Sequence, residues 1–213
     1  MNWNCIRIGI AILATLLLAA CDDLGDAQEY LDTGAELYDE GSLEEAILHY
    51  EKAIGLDPEL TVAYFNRGVV YETLGEFDKA LEDYDEVIRL DPQHSEAYFN
   101  RGSVYHNLSE PQVAVDNYNE AIRLDPQNSD AYLNRAAAYI LMGQYEQAIE
   151  DLGQAVLLNP QESLAYANRA RAHTLLGQDT EAQQDLEKAV ELGFDRESVE
   201  VEINRLTGIS QMD

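Results

Sequence analysis

Residues 61–94 read TVAYFNRGVVYETLGEFDKALEDYDEVIRLDPQH, and residues 95–128 run in parallel as SEAYFNRGSVYHNLSEPQVAVDNYNEAIRLDPQN. Both stretches close on Leu-Asp-Pro. Pro58, Pro92, Pro126 and Pro160 stand 34 residues apart, each in Leu-Asp-Pro or Leu-Asn-Pro. A fixed period of this length is the mark of stacked structural repeats, each too small to bury its own apolar face. Counting back from Pro58 gives five copies: 27–60, 61–94, 95–128, 129–162 and 163–196.

The copies agree column by column. Position 4 is Tyr30, Tyr64, Tyr98, Tyr132 and Tyr166; position 8 is small (Gly34, Gly68, Gly102, Ala136, Ala170). Position 11 holds Leu37, Tyr71, Tyr105, Tyr139 and His173, and position 20 is alanine throughout. Position 24 is large (Tyr50, Tyr84, Tyr118, Leu152, Leu186), and position 27 is Ala53, Val87, Ala121, Ala155 and Ala189. Apolar spacings of three, four and seven keep such residues on one helical face. Large residues at 4, 11 and 24 then act as knobs, and small ones at 8, 20 and 27 as holes. Gly41, Gly75, Gly143 and Gly177 at position 15 suit a left-handed turn ending the first helix of each copy. Thr61, Ser95, Ser129 and Ser163 at position 1 are candidate N-caps. Copy 3 departs, with Ser109 in place of glycine and Pro111 just after it, so a local variant of the hairpin is expected there.

This pattern resembles the tetratricopeptide repeat (TPR) family, two antiparallel helices per repeat, over residues 27–196. The resemblance implies an all-α, right-handed solenoid of five helix-turn-helix repeats whose A helices line a concave face. Residues 197–213 follow as cap and tail. Val199, Ile203 and Leu206 share one stripe, which suits a capping helix over the end of the stack. The Val-Glu-Val-Glu-Ile alternation also fits a strand, but a lone strand has nothing to pair with.

Residues 1–20 read as a lipoprotein signal peptide. Ile8 to Leu18 is apolar except for Gly9 and Thr15. Eleven helical residues reach roughly 16 Å, half of a bilayer core of about 30 Å, so the run is too short to span. It ends in Leu18-Ala19-Ala20-Cys21, which resembles the lipobox of bacterial lipoproteins. That resemblance implies cleavage before Cys21 and lipidation, with palmitate, of its thiol. It places the chain in the bacterial cell envelope, facing the periplasm, with residues 21–26 as a tether. Asp22 favours the inner membrane over the outer by the rule known for such lipoproteins.

Composition narrows the partners. With 13 Lys+Arg against 41 Asp+Glu, the net charge of −28 repels phosphate backbones and argues against nucleic acid. It also denies the chain a basic route to anionic membranes, which leaves the lipid anchor. Cys5 and Cys21 are the only cysteines, and His49, His94, His106 and His173 are scattered, so no metal cluster and no cofactor are expected. No phosphate loop or catalytic constellation stands out, and neither an enzyme nor a small-molecule substrate is expected.

Other proteins are the expected partners. Positions 2, 5, 6, 9, 12 and 13 remain for the groove once the core columns are removed. Position 6 is Asp32, Asn66, Asn100, Asn134 and Asn168. Asparagine costs roughly 0.6 kcal/mol in a helix relative to alanine, so propensity does not explain the column. An amide donates and accepts at once, which matches an extended peptide backbone. The column resembles the asparagine ladder of the O-GlcNAc transferase superhelix; alternatively, the amides bond a neighbouring repeat or water. Phe65 and Phe99 at position 5 offer apolar anchors if exposed, or core if half-buried. The lysines of an Hsp70/Hsp90-type carboxylate clamp are missing, which argues against a C-terminal carboxylate as ligand. Position 7 is Arg67, Arg101, Arg135 and Arg169, with Thr33 in repeat 1, and position 23 is Asp83, Asn117, Asp151 and Asp185, with His49 in repeat 1. The two columns change together, which predicts helix-to-helix pairing, with ligand contact as the alternative. The functional expectation is a non-catalytic scaffold or assembly factor binding partner segments in the groove. The alternative is a fixed structural subunit of one envelope complex.

Overall fold

The computed structural model describes residues 27–195 together with 197 and 201. The signal peptide, Cys21, the tether and the capping stripe of Val199, Ile203 and Leu206 lie outside the described residues. Within 27–195 the described residues form ten helices and no strand. The helices are α1 (27–39), α2 (Leu43–Leu56), α3 (Thr61–Thr73), α4 (Phe77–Leu90) and α5 (Ser95–Asn107), followed by α6 (Pro111–Leu124), α7 (Ser129–Leu141), α8 (Tyr145–Leu158), α9 (Ser163–Leu175) and α10 (Asp179–Glu191). Consecutive pairs make repeats 1 to 5. The chain divides between Pro92 and Gln93 into two compact units, the first holding α1–α4 and the second α5–α10.

The alanines at positions 20 and 27 and the large residues at position 24 are buried, as the columns predict; Ala80, Tyr84, Val87 and Leu152 are fully so. Two further core columns escape the sequence reading. Position 3 (Ala63, Ala97, Ala131, Ala165) and position 10 (Val70, Val104, Ala138, Ala172) are wholly buried. The tyrosines at position 4 are only half-buried. They act as platforms more than knobs, with the position 7 guanidinium over the ring in repeats 2 to 5, such as Arg67 on Tyr64 at 5.7 Å and Arg135 on Tyr132 at 5.6 Å, and Lys52 over Tyr30 in repeat 1.

Positions 8 and 24 are coupled. A β-carbon built on Gly34 would lie 2.6 Å from Tyr50 Cε1, and those on Gly68 and Gly102 would lie 2.8 Å from Tyr84 and Tyr118 Cε1. Where position 24 is leucine, in repeats 4 and 5, position 8 is alanine (Ala136, Ala170), also fully buried. The ring needs the room of a methyl group, and glycine provides it.

Two expectations are corrected at the helix ends. The N-caps are not Thr61, Ser95, Ser129 and Ser163, which are the first helical residues; the chain turns one residue earlier. His94 Nδ1 accepts from the Ala97 amide at 3.2 Å, Asn128 Oδ1 from Ala131 at 3.0 Å and Glu162 Oε1 from Leu164 at 3.3 Å. The Asp or Asn before each proline supplies the geometry for this early turn. Asp125 Oδ1, for instance, accepts from the Gln127 amide at 3.0 Å. Nor is the hairpin of repeat 3 a variant. Ser109 adopts φ 61°, against 72° for Gly143 in repeat 4. Glu110 N donates to Tyr105 O at 2.9 Å just as Gln144 N donates to Tyr139 O at 2.9 Å. The position demands a left-handed residue, and serine accepts that strain. Pro111 sits at the first turn of α6, where no amide donor is missed.

Candidate peptide-binding groove

The arginine column pairs as its spacing predicts. Arg67 clasps Asp83 through Nε at 2.9 Å and Nη2 at 2.6 Å; Arg135 and Arg169 hold Asp151 and Asp185 in the same bidentate way at 2.6 to 2.7 Å. In repeat 3, Arg101 Nε donates to Asn117 Oδ1 at 2.7 Å. Burial pushes the Asp83 and Asp151 carboxyls above the usual carboxylate range despite the arginines. Burial also works against the charge on Arg67 and Arg135, yet their carboxylate partners leave both raised. Desolvation consumes much of what the pairs gain, so their main effect is to fix how helix B sits on helix A.

Position 5 belongs mostly to the core. Leu31, Leu133 and Ala167 are buried, and Phe65 and Phe99 are half-buried. Phe65 lies 6.1 Å from the Tyr84 ring and Phe99 lies 5.9 Å from Tyr118, each within its own repeat. Each ring is half-buried and in contact with its tyrosine, so the two are weaker anchors than free phenylalanines.

The asparagines at position 6 are all half-buried, and Asp32 is exposed. In the first unit the Asn66 amide is hydrogen-bonded to the hydroxyl of Tyr50 on α2. Burial pushes that hydroxyl up to about 12, with the Asn66 bond working the other way. Here the amide serves the neighbouring repeat. In the second unit Asn134 and Asn168 each border an open cleft. One, of about 200 Å³, lies against Ser103, His106, Asn107, Tyr118, Asn134 and Ala137. The other, of about 110 Å³, lies against His106, Ala137, Ile140, Leu141, Asn168 and Arg171. Apart from Tyr118, every one of these residues is at position 6, 9, 12 or 13 of an A helix. Asn100 lines neither cleft.

His106 and Arg171 were not singled out from the sequence, though their positions were among those left for the groove. His106 lines both clefts, and its Nδ1 is buried without a hydrogen-bond partner. Burial lowers its pKa, so the ring is neutral at pH 7. Among the described residues, no group of three or more His, Cys, Asp or Glu is placed to hold a metal ion. Among them also, no helix is long and apolar enough to cross a membrane.

Sequence models of the tetratricopeptide repeat match residues 61–94, 95–128, 117–150 and 164–192, and a TPR repeat model matches residues 34–75. The chain belongs to the tetratricopeptide repeat family. No curated protein matches it by sequence. Among solved structures, a crystal structure of MamA protein is similar at 26% identity and a TM-score of 0.72, over 88% of this chain and 97% of that one. YrrB, titled a TPR protein with an unusual peptide-binding site, is 20% identical with a TM-score of 0.73, over 89% of this chain and 97% of its own. PilW, titled a widely conserved type IV pilus biogenesis factor, is 24% identical with a TM-score of 0.73, over 87% of both chains. At these identities YrrB and PilW speak for the fold alone.

Proposed function

We propose that the chain is a non-catalytic scaffold or assembly factor of the bacterial cell envelope that holds extended segments of other proteins against its A helices. The observation that carries this reading is the pair of clefts bordered by Asn134 and Asn168, 34 residues apart in register, with amides able to donate and accept at once. Asn100, at the same position of its own repeat, makes the same kind of backbone contact, and Asn66, already bonded to Tyr50, adds the amide capacity that this bond leaves. Phe65 and Phe99 add apolar edges. Recognition through backbone is loose in sequence and built from several small contributions. YrrB, a TPR protein with an unusual peptide-binding site and a similar fold, is consistent with this use. Attachment is through lipid on Cys21, with residues 1–20 removed, residues 21–26 as tether, and residues 197–213 capping the fifth repeat. Asp22 favours the inner membrane.

Two experiments test this. Replacing Asn66, Asn100, Asn134 and Asn168 together by alanine leaves the helices intact and weakens binding to partners captured from detergent extracts at least tenfold, about 1.4 kcal/mol. Wild-type binding by that variant places the interface elsewhere. Cys21→Ala abolishes incorporation of labelled palmitate; unchanged labelling removes the anchor from the account.

A further inference from the structure

Six side chains line each cleft of the second unit, with His106 and Ala137 common to both. None of these ten residues is acidic, in a chain where Asp and Glu outnumber Lys and Arg by 41 to 13. The second cleft instead carries a guanidinium, that of Arg171. Between the clefts stands the imidazole of His106, with a buried nitrogen that lacks a hydrogen-bond partner. A neutral imidazole donates through whichever ring nitrogen carries the proton, and the guanidinium and the asparagine amides are donors too. What these donors share is an affinity for oxygen acceptors, and the cationic one favours an acceptor with negative charge. Leu141, 59% exposed, supplies apolar surface for a methylene stem.

We propose that the segment bound by repeats 3 to 5 carries an aspartate or glutamate whose side-chain carboxylate enters the clefts at His106. Its oxygens accept from the His106 ring and from Arg171, while Asn134 and Asn168 hold the backbone on either side. This rests on the peptide-binding reading above and adds its side-chain preference. The overall charge of −28 does not forbid it. At physiological salt, charges are screened beyond about 8 Å, so distant acids weigh little against a contact pair. They do weigh against a run of acids, and the favoured segment has an isolated carboxylate among neutral or basic neighbours.

The test uses the full-length chain in detergent and immobilised short peptides, C-terminally amidated and randomised except for a central Glu, Gln or Lys. The Glu series is captured at least tenfold better than the Gln series. Arg171→Gln levels the two, Arg171→Lys keeps the preference, and Arg171→Glu turns it toward Lys, with circular dichroism verifying the helices of each. Equal capture of Glu and Gln by the wild type, or a preference unchanged in Arg171→Gln, overturns the proposal while leaving backbone binding standing. A Gln series with free C termini captured as well as the amidated Glu series also overturns it, because the carboxylate then belongs to a chain end. Capture of none of the series, or capture indifferent to Asn134→Ala and Asn168→Ala, defeats the peptide reading itself and this proposal with it.

Discussion

Repeats 1 to 3 and repeats 4 and 5 solve one packing problem in two ways. The first three set a tyrosine at position 24 against a glycine at position 8; the last two set a leucine against an alanine. Both fill the space between the helices of a repeat. The tyrosine solution also delivers a hydroxyl beyond the core. Tyr50 reaches Asn66, Tyr84 donates to Glu72 at 2.8 Å, and Tyr118 donates to Ser103 at 3.4 Å and lines the larger cleft with Asn134. Leu152 offers no such group, and the cleft at Asn168 has no residue from a B helix. A choice made for packing thus decides how polar the groove is beside each asparagine.

The comparison breaks most directly at Gly102. Alanine there forces the Tyr118 ring to move, an overpacking cost of about 1–3 kcal/mol that the better helix propensity of alanine offsets by roughly 1. Gly102→Ala should therefore lower stability by up to about 2 kcal/mol, a few degrees in Tm for a chain of this size. In a Tyr118→Leu background, which recreates the pairing of repeat 4, the same alanine should cost nothing. Urea midpoints of the two single variants and the double one measure this; equal cost in both backgrounds refutes the coupling.

The ion pairs sharpen a second contrast, repeat 4 against repeat 3. A double-mutant cycle on Arg135 and Asp151 should show coupling on the order of 1 kcal/mol, since the pair is bidentate and mostly out of water. The same cycle on Arg101 and Asn117, one bond to a neutral partner, should show about half. Additive effects at both sites would make the two columns independent.

Smaller again is the hairpin. Ser109→Gly relieves the left-handed serine and should stabilise by about 0.5–1 kcal/mol, while Gly143→Ser should cost a similar amount. Thermal melts distinguish these from no effect.

The smallest expected effect is a pH dependence. His106 is held below 6.5, the ordinary imidazole value, by burial. Between the folded and unfolded values the unfolded chain binds more protons, so this contribution is complete above about pH 6.5 and is lost as pH falls through that window. Arg171, across one cleft, and Tyr118, across the other, put no anion against the ring that would reverse the sign. His106→Asn should flatten the stability profile between pH 7 and 5, and an unchanged slope would assign it to other groups.

Much of this was readable in advance because a repeat states its rules five times. The period fixed the helix pairs, and the joint change of positions 7 and 23 predicted a contact the structure contains in four repeats. The N-caps were misread because serine and threonine are good caps by type. The Asx turns at Asp57, Asp125 and Asn159, just before α3, α7 and α9, depend on backbone angles that composition does not show. The expected variant at Ser109 did not appear, since glycine's absence raises the cost of a conformation without removing it.

The sequence by itself determined the repeat, the helix pairs, the buried small residues and the residues available to the groove, because periodicity and size are properties of single positions. Tertiary structure alone decided that Asn66 is tied to Tyr50 whereas Asn134 and Asn168 border clefts, that Phe65 and Phe99 are engaged by tyrosines, and that His106 stands beside Arg171's cleft. These are facts about which helix lies against which and at what distance. Side chains one period apart come together only when the helices that carry them pack, and the depth and polarity of the space between them follow from that packing.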